Sequence, residues 1–91
     1  MATSAHVKIS NRLGMHARPA MILAETAQGF ESDITVRRTD QDDSVDAKSI
    51  MQLMMLAATQ GTELEIKASG PDADDSVTRL VDLIRSGFNE D

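Results

Sequence analysis

Four stretches of this chain alternate apolar with polar residues, so each offers a sheet one apolar face and one wet face. Glu63–Ser69 is the clearest, with Leu64, Ile66 and Ala68 set against Glu63, Glu65 and Lys67. Residues 5–10 set Ala5, Val7 and Ile9 against His6, Lys8 and Ser10. Asp33–Arg38 turns Ile34 and Val36 inward, and the brief Ser44–Asp46 follows the acidic turn at 39–43 as its hairpin mate. That turn lacks the glycine and terminal glutamate of a calcium loop, so it reads as a solvated tip. Strands that are polar on one face must lie antiparallel, with every helix packed on the other face.

Between these strands the apolar period becomes helical. Ala17–Gln28 is expected to be a helix with Ala17, Ala20, Met21, Ala24 and Ala27 on one face, stopped by Gly29, with Phe30 packing under its end. Ser49-Ile50-Met51-Gln52 has the capping-box pattern, with Ser49 as N-cap and Gln52 reaching back. A short helix to about Leu56 follows, with Ile50, Leu53, Met54 and Ala57 inward. Met51 and Met55, one turn apart, either face solvent as an adaptable contact surface or join the core. After the turn at 70–75, whose carboxylates suit a helix start, Val77, Leu80, Val81, Ile84 and Phe88 form the last stripe, and Gly87 onward is expected to fray. The order βαββαβα makes an α+β domain over residues 1–91: a four-stranded antiparallel sheet with three helices on one face, the other face open to water.

Ninety-one residues with two Phe and no Trp or Tyr require an aliphatic core. The absence of Cys excludes disulfides and thiolate metal sites. A net charge of −6 with nine scattered basic residues argues against nucleic-acid binding. The start Met1-Ala2-Thr3-Ser4-Ala5-His6-Val7 has no signal-peptide character and no run reaches membrane-spanning length, so a soluble cytoplasmic protein is expected.

The chemistry concentrates in Leu13-Gly14-Met15-His16-Ala17-Arg18-Pro19-Ala20. Gly14 suits a sharp turn out of the first strand, and Pro19 falls in the first helical turn, where its missing N–H costs nothing. His16 then sits at the N-cap, where unsatisfied backbone N–H groups and the helix dipole welcome an anion. A phosphoryl group on an imidazole nitrogen of His16 would meet the first-turn amides, Ala17 among them, and the planar fork of Arg18. The same field disfavours imidazolium, which favours a neutral nucleophilic ring. Arg12 and Lys48 are candidates for a basic rim. A metal site shared by His6 and His16 lacks further ligands, so no metal or other cofactor is expected on this chain.

Gly14-Met15-His16-Ala17-Arg18-Pro19-Ala20 resembles the active-site motif of the HPr family, the small histidine phosphocarriers of the phosphoenolpyruvate-dependent phosphotransferase system. The resemblance implies an open-faced sandwich of four strands and three helices. It implies that His16 carries phosphate on Nδ1 with Arg18 assisting, taking it from enzyme I, which uses magnesium, and passing it to enzyme IIA. It makes the protein a carrier rather than an enzyme, acting as a monomer. Docking is assigned to Met51, Met55 and Lys48 beside His16. Lys48-Ser49-Ile50-Met51 resembles the segment that a dedicated kinase, the HPr kinase/phosphorylase, modifies in some members, which makes Ser49 a candidate regulatory site. Asn11-Arg12-Leu13-Gly14-Met15-His16, Gln28-Gly29-Phe30 and the ending 86–91 resemble the nitrogen-related branch, whereas Lys48-Ser49-Ile50-Met51 resembles the sugar branch. The sugar system is taken as the first assignment and the nitrogen branch as its alternative. From another class, a ligand-sensing module would use His16 and Arg18 to bind a small anion without being phosphorylated.

Overall fold

The computed structural model describes residues 2–89. Its elements are β1 (Ala2–Lys8), α1 (Ala17–Gln28), β2 (Asp33–Arg38), β3 (Ser44–Asp46), α2 (Ile50–Met55), β4 (Glu63–Ser69) and α3 (Ala73–Arg85), followed by a short turn at Gly87–Asn89. The strands form one antiparallel sheet in the order β1-β4-β2-β3. Register aligns one apolar row across all four strands, Ala5 to Ile66 to Val36 to Val45. That row faces the helices, where Leu23, Leu53, Leu80 and Ile84 close the core. The next row, His6 to Glu65 to Arg37, faces solvent. There Arg37 donates from Nε and Nη2 to Glu65 Oε1 at 3.2 and 3.1 Å, and His6 Nε2 lies 3.7 Å from Glu65 Oε2. The Arg37 bond, with its charge, holds the Glu65 carboxyl below the usual range.

The α+β architecture expected from the period changes is the one observed, and five details differ. β1 begins at Ala2 rather than Ala5, because β4 offers ladder partners as far as Ser69, opposite Ala2. In α1 the buried face is Pro19, Ala20, Leu23, Ala24 and Ala27, leaving Met21 and Ala17 outside. In α2 only half of the capping box forms. Gln52 N–H donates to Ser49 Oγ at 3.2 Å, while the Gln52 side chain accepts from the Asp46 N–H at 2.9 Å. With six residues, α2 presents a single ridge: Leu53 and the following Leu56 are buried, and Ile50, Met54 and Ala57 are exposed. Lastly, Gly87 and Phe88 are buried instead of frayed, and residues 90–91 of the ending lie outside the described residues.

Asp72 ties α3 to the β2 side of the domain. It is the N-cap residue, yet its carboxylate turns away from the helix to accept N–H bonds from Glu31 and Ser32, each 2.9 Å, and the Ser32 hydroxyl. Those donors, Ser32 foremost, hold its pKa below the ordinary 3.8. A depressed folded-state pKa contributes stability that is complete above the unfolded value and lost as pH falls through the folded one. Asp72→Ala is therefore expected to lower the urea midpoint at pH 7 and to matter progressively less as acid protonates the wild-type carboxylate. Equal penalties at neutral pH and far below the carboxylate range would refute this role.

Candidate functional site

The loop from β1 into α1 is pinned at both ends by core residues, Ile9 and Met15. Inside it, the buried Asn11 closes a tight turn: its Nδ2 donates to the Gly14 carbonyl at 2.8 Å, and the Gly14 N–H returns to the Asn11 carbonyl at 3.2 Å. Gly14 takes φ +70°, and a Cβ there would lie 2.4 Å from the Ala58 carbonyl oxygen. Only glycine fits. The close approach lets the Met15 N–H reach that same Ala58 oxygen at 2.9 Å.

His16 emerges from this clamp as the α1 N-cap, with extended backbone (φ −83°, ψ −172°) and an imidazole that does not cap the first turn. The residue is half-buried, and its carbonyl accepts the Ala20 N–H at 3.0 Å. Pro19 brings no N–H, so Ala17 and Arg18 supply the first-turn donors that no helix carbonyl receives. The first turn holds no acidic residue to offset the dipole. Arg18 is exposed beside it. His16, Ala17 and Arg18 thus come together as a site for a dianionic oxygen cluster on the imidazole.

The other assigned residues divide. Gln28 Nε2 donates to the Lys48 carbonyl at 3.0 Å, which places the start of α2 at the C-terminal end of α1, while Ala58 meets Met15 at the N-terminal end. The two ends of a 12-residue helix stand about 18 Å apart. Lys48 is therefore remote from His16, and its Nζ donates to the Phe30 carbonyl at 2.8 Å, neutralising the negative end of α1. The basic rim expected from Arg12, Arg18 and Lys48 does not include Lys48. Ser49 shares that far end and serves as the α2 N-cap. Met51 and Met55 are 76% and 78% exposed, so the core alternative for them is overturned. Met54, Met21 and Leu13 are exposed as well, the last 69%. His6 lies on the sheet face opposite the helices, paired with Glu65.

Two further residues build the site without any sequence signal strong enough to single them out. Asn11 is one. The other is Arg38, whose Nη1 donates to the carbonyls of Leu56 and Ala57 at 3.3 and 3.2 Å, just before Ala58. Asp40 grips the rest of that guanidinium at 3.0 and 2.8 Å, which raises the Arg38 pKa and lowers that of Asp40.

Among the described residues no helix is long and apolar enough to cross a membrane. Residues 3–86 match the family described as the PTS HPr component phosphorylation site. The chain is 40% identical over 91 residues, all of both chains, to phosphocarrier protein NPr of Escherichia coli. It is 43% identical over 84 residues, 92% of each chain, to phosphocarrier protein HPr of Neisseria meningitidis. Its fold superposes on HPr-C-His from Thermoanaerobacter tengcongensis with a TM-score of 0.90 at 39% identity, covering 98% of both chains. With the His16 motif, the open-faced sandwich and these likenesses along its whole length, the chain belongs to the HPr family of phosphocarriers.

Proposed function

We propose that His16 takes a phosphoryl group from the phosphohistidine of an enzyme I and yields it to an enzyme IIA. One arrangement carries this reading: an imidazole at a helix N-cap, over two first-turn N–H donors and beside Arg18, with no carboxylate in that turn. The ring nitrogen of His16, Nδ1 by the family resemblance, forms an N–P bond as the donor's N–P bond breaks and its electron pair returns to the donor ring. The migrating group spreads its charge over three oxygens, which the Ala17 and Arg18 N–H groups and the Arg18 guanidinium bind. That step asks for positioning and charge, which a carrier with an open site can supply. Magnesium belongs to enzyme I. One chain supplies every group named, so we assign a monomer, and by the family resemblance a cytoplasmic carrier rather than an enzyme.

Docking is assigned to the exposed Met51 and Met55, whose flexible apolar side chains suit several partners in turn. Lys48 joins only as the remote edge of that surface. Ser49 is the proposed target of a regulatory kinase; phosphate there would add negative charge at the end of the docking face and weaken acidic partners. Full-length likeness to NPr favours the nitrogen branch as donor, and the sugar branch remains the second reading on Lys48-Ser49-Ile50-Met51 and the HPr relatives.

The test is incubation with phosphoenolpyruvate, magnesium and enzyme I of each branch in parallel, followed by intact mass and mapping of acid-labile phosphate. One phosphate on His16 is expected, faster from the nitrogen-branch enzyme. Met51→Glu with Met55→Glu, which removes the apolar contact and adds negative charge, should raise KM for that enzyme about tenfold. No label from either enzyme would leave an anion-binding module that is never phosphorylated.

A further inference from the structure

After α3 the chain does not simply leave. Gly87, Phe88 and Asn89 all adopt left-handed backbone, with φ of +70°, +57° and +61°. For phenylalanine this is an unfavourable conformation, since its Cβ crowds its own carbonyl, and a chain keeps such a residue only where surrounding contacts over-determine it. Those contacts are visible. The Ser10 hydroxyl sits 3.3 and 3.2 Å from the last carbonyls of the helix, those of Ile84 and Arg85. A Cβ built on Gly87 would lie 3.4 Å from Ser10 Oγ and 3.6 Å from the Cβ of Asn11, the residue that clamps Gly14. The turn is thus fastened to the loop that presents His16. From there the left-handed run sends Phe88, 3% exposed, and Asn89 against α1, where with Ile22 they line one open depression that also includes Arg18.

We propose that Phe88 and Ile22 are positioning residues for phosphoryl transfer, acting through Arg18. They form an apolar seat for the methylene stem of Arg18, so that its guanidinium is held near the α1 N-terminus and is not spread over the rotamers of an exposed side chain. A long cationic side chain buries its stem against apolar surface and keeps its head in water. Seating the stem in advance removes rotamer entropy that the transition state would otherwise have to overcome. This rests on the phosphocarrier reading above.

The experiment is a double-mutant cycle on single-turnover transfer from enzyme I to the full chain, with the folded fraction of each variant measured by denaturant unfolding. Arg18→Ala is expected to slow transfer about tenfold or more, and Phe88→Ala and Ile22→Ala about fivefold each, in kcat rather than KM. In the Arg18→Ala background the two seat substitutions should slow it no further. A purely structural role would lower the unfolding midpoint and give the same loss in both backgrounds, and that result overturns the proposal. So does unchanged transfer by the folded single variants. If Phe88→Ala does not fold, the Ile22→Ala cycle decides, because alanine is the best helix former and Ile22 is only half-buried. A wild type that takes no label defeats the carrier reading itself. A labelled wild type whose Arg18→Ala variant transfers at full speed defeats the seat alone.

Discussion

His16→Ala is expected to take up no acid-labile phosphate from enzyme I and to unfold within about 1 kcal/mol of the wild type. The first half follows from the atoms available: with the imidazole gone, the helix N-terminus offers N–H donors and a guanidinium but no nucleophile. The second half follows from the local geometry. The imidazole gives α1 no cap hydrogen bond, and the backbone bonds at this position, His16 N–H to the Gly14 carbonyl and Ala20 N–H to the His16 carbonyl, both survive the substitution. Intact mass after incubation, with urea unfolding beside it, checks both halves. Phosphate retained on the variant would move the acceptor elsewhere. Lost phosphate together with a lost fold would say only that the domain had collapsed.

How much of this was legible in the sequence depended on whether a residue acts through its own neighbours or through distant ones. β4 could be read residue by residue because Leu64, Ile66 and Ala68 leave no doubt which face is buried. The start of α1 was equally plain, since Gly14 suits the turn, Pro19 suits the first helical turn, and the run from Ala17 favours a helix. Its buried face was read off by a rotation: Ala17, Ala20, Ala24 and Ala27 share one stripe with Met21 and Leu23 on its opposite flanks, and only packing against α2 and α3 chooses Leu23. In α2 six residues are too few to fix a phase when five of them are Ile, Leu or Met, so Ile50 and Met54 were placed inside and lie outside. Lys48 was drawn toward His16 by its charge, whereas its partner is the Phe30 carbonyl 18 residues earlier. Arg38 works through the same kind of contact, whereas Asn11 acts locally, on Gly14 three residues on. Arg38 reaches Leu56, 18 residues on, and no local pattern encodes that.

Gly14→Ala should show the converse of His16→Ala, keeping every reacting group and losing their arrangement. Gly14 and Gly61 provide a matched pair, because both hold left-handed backbone, at φ +70° and +89°. A Cβ on Gly61 would meet nothing within 4 Å, so Gly61→Ala reports the conformational penalty alone, about 1 kcal/mol. A Cβ on Gly14 would meet backbone, 2.4 Å from the Ala58 oxygen and 2.8 Å from the Thr59 Cα, and backbone cannot swing aside as a flexible side chain does. Relief requires the two segments to part, which breaks the Met15 N–H bond to Ala58 and loosens the turn that Asn11 closes. Gly14→Ala is therefore expected to cost about 2–3 kcal/mol more than Gly61→Ala in urea unfolding, a large share of the stability of a domain this small. The folded fraction should also transfer phosphate about tenfold more slowly, since His16 follows Gly14 by two residues and moves with it, while Gly61→Ala transfers normally. Equal stability losses would mean that the loop yields without strain. Normal transfer by folded Gly14→Ala would mean that the position of His16 is set by α1 and not by the clamp beneath it.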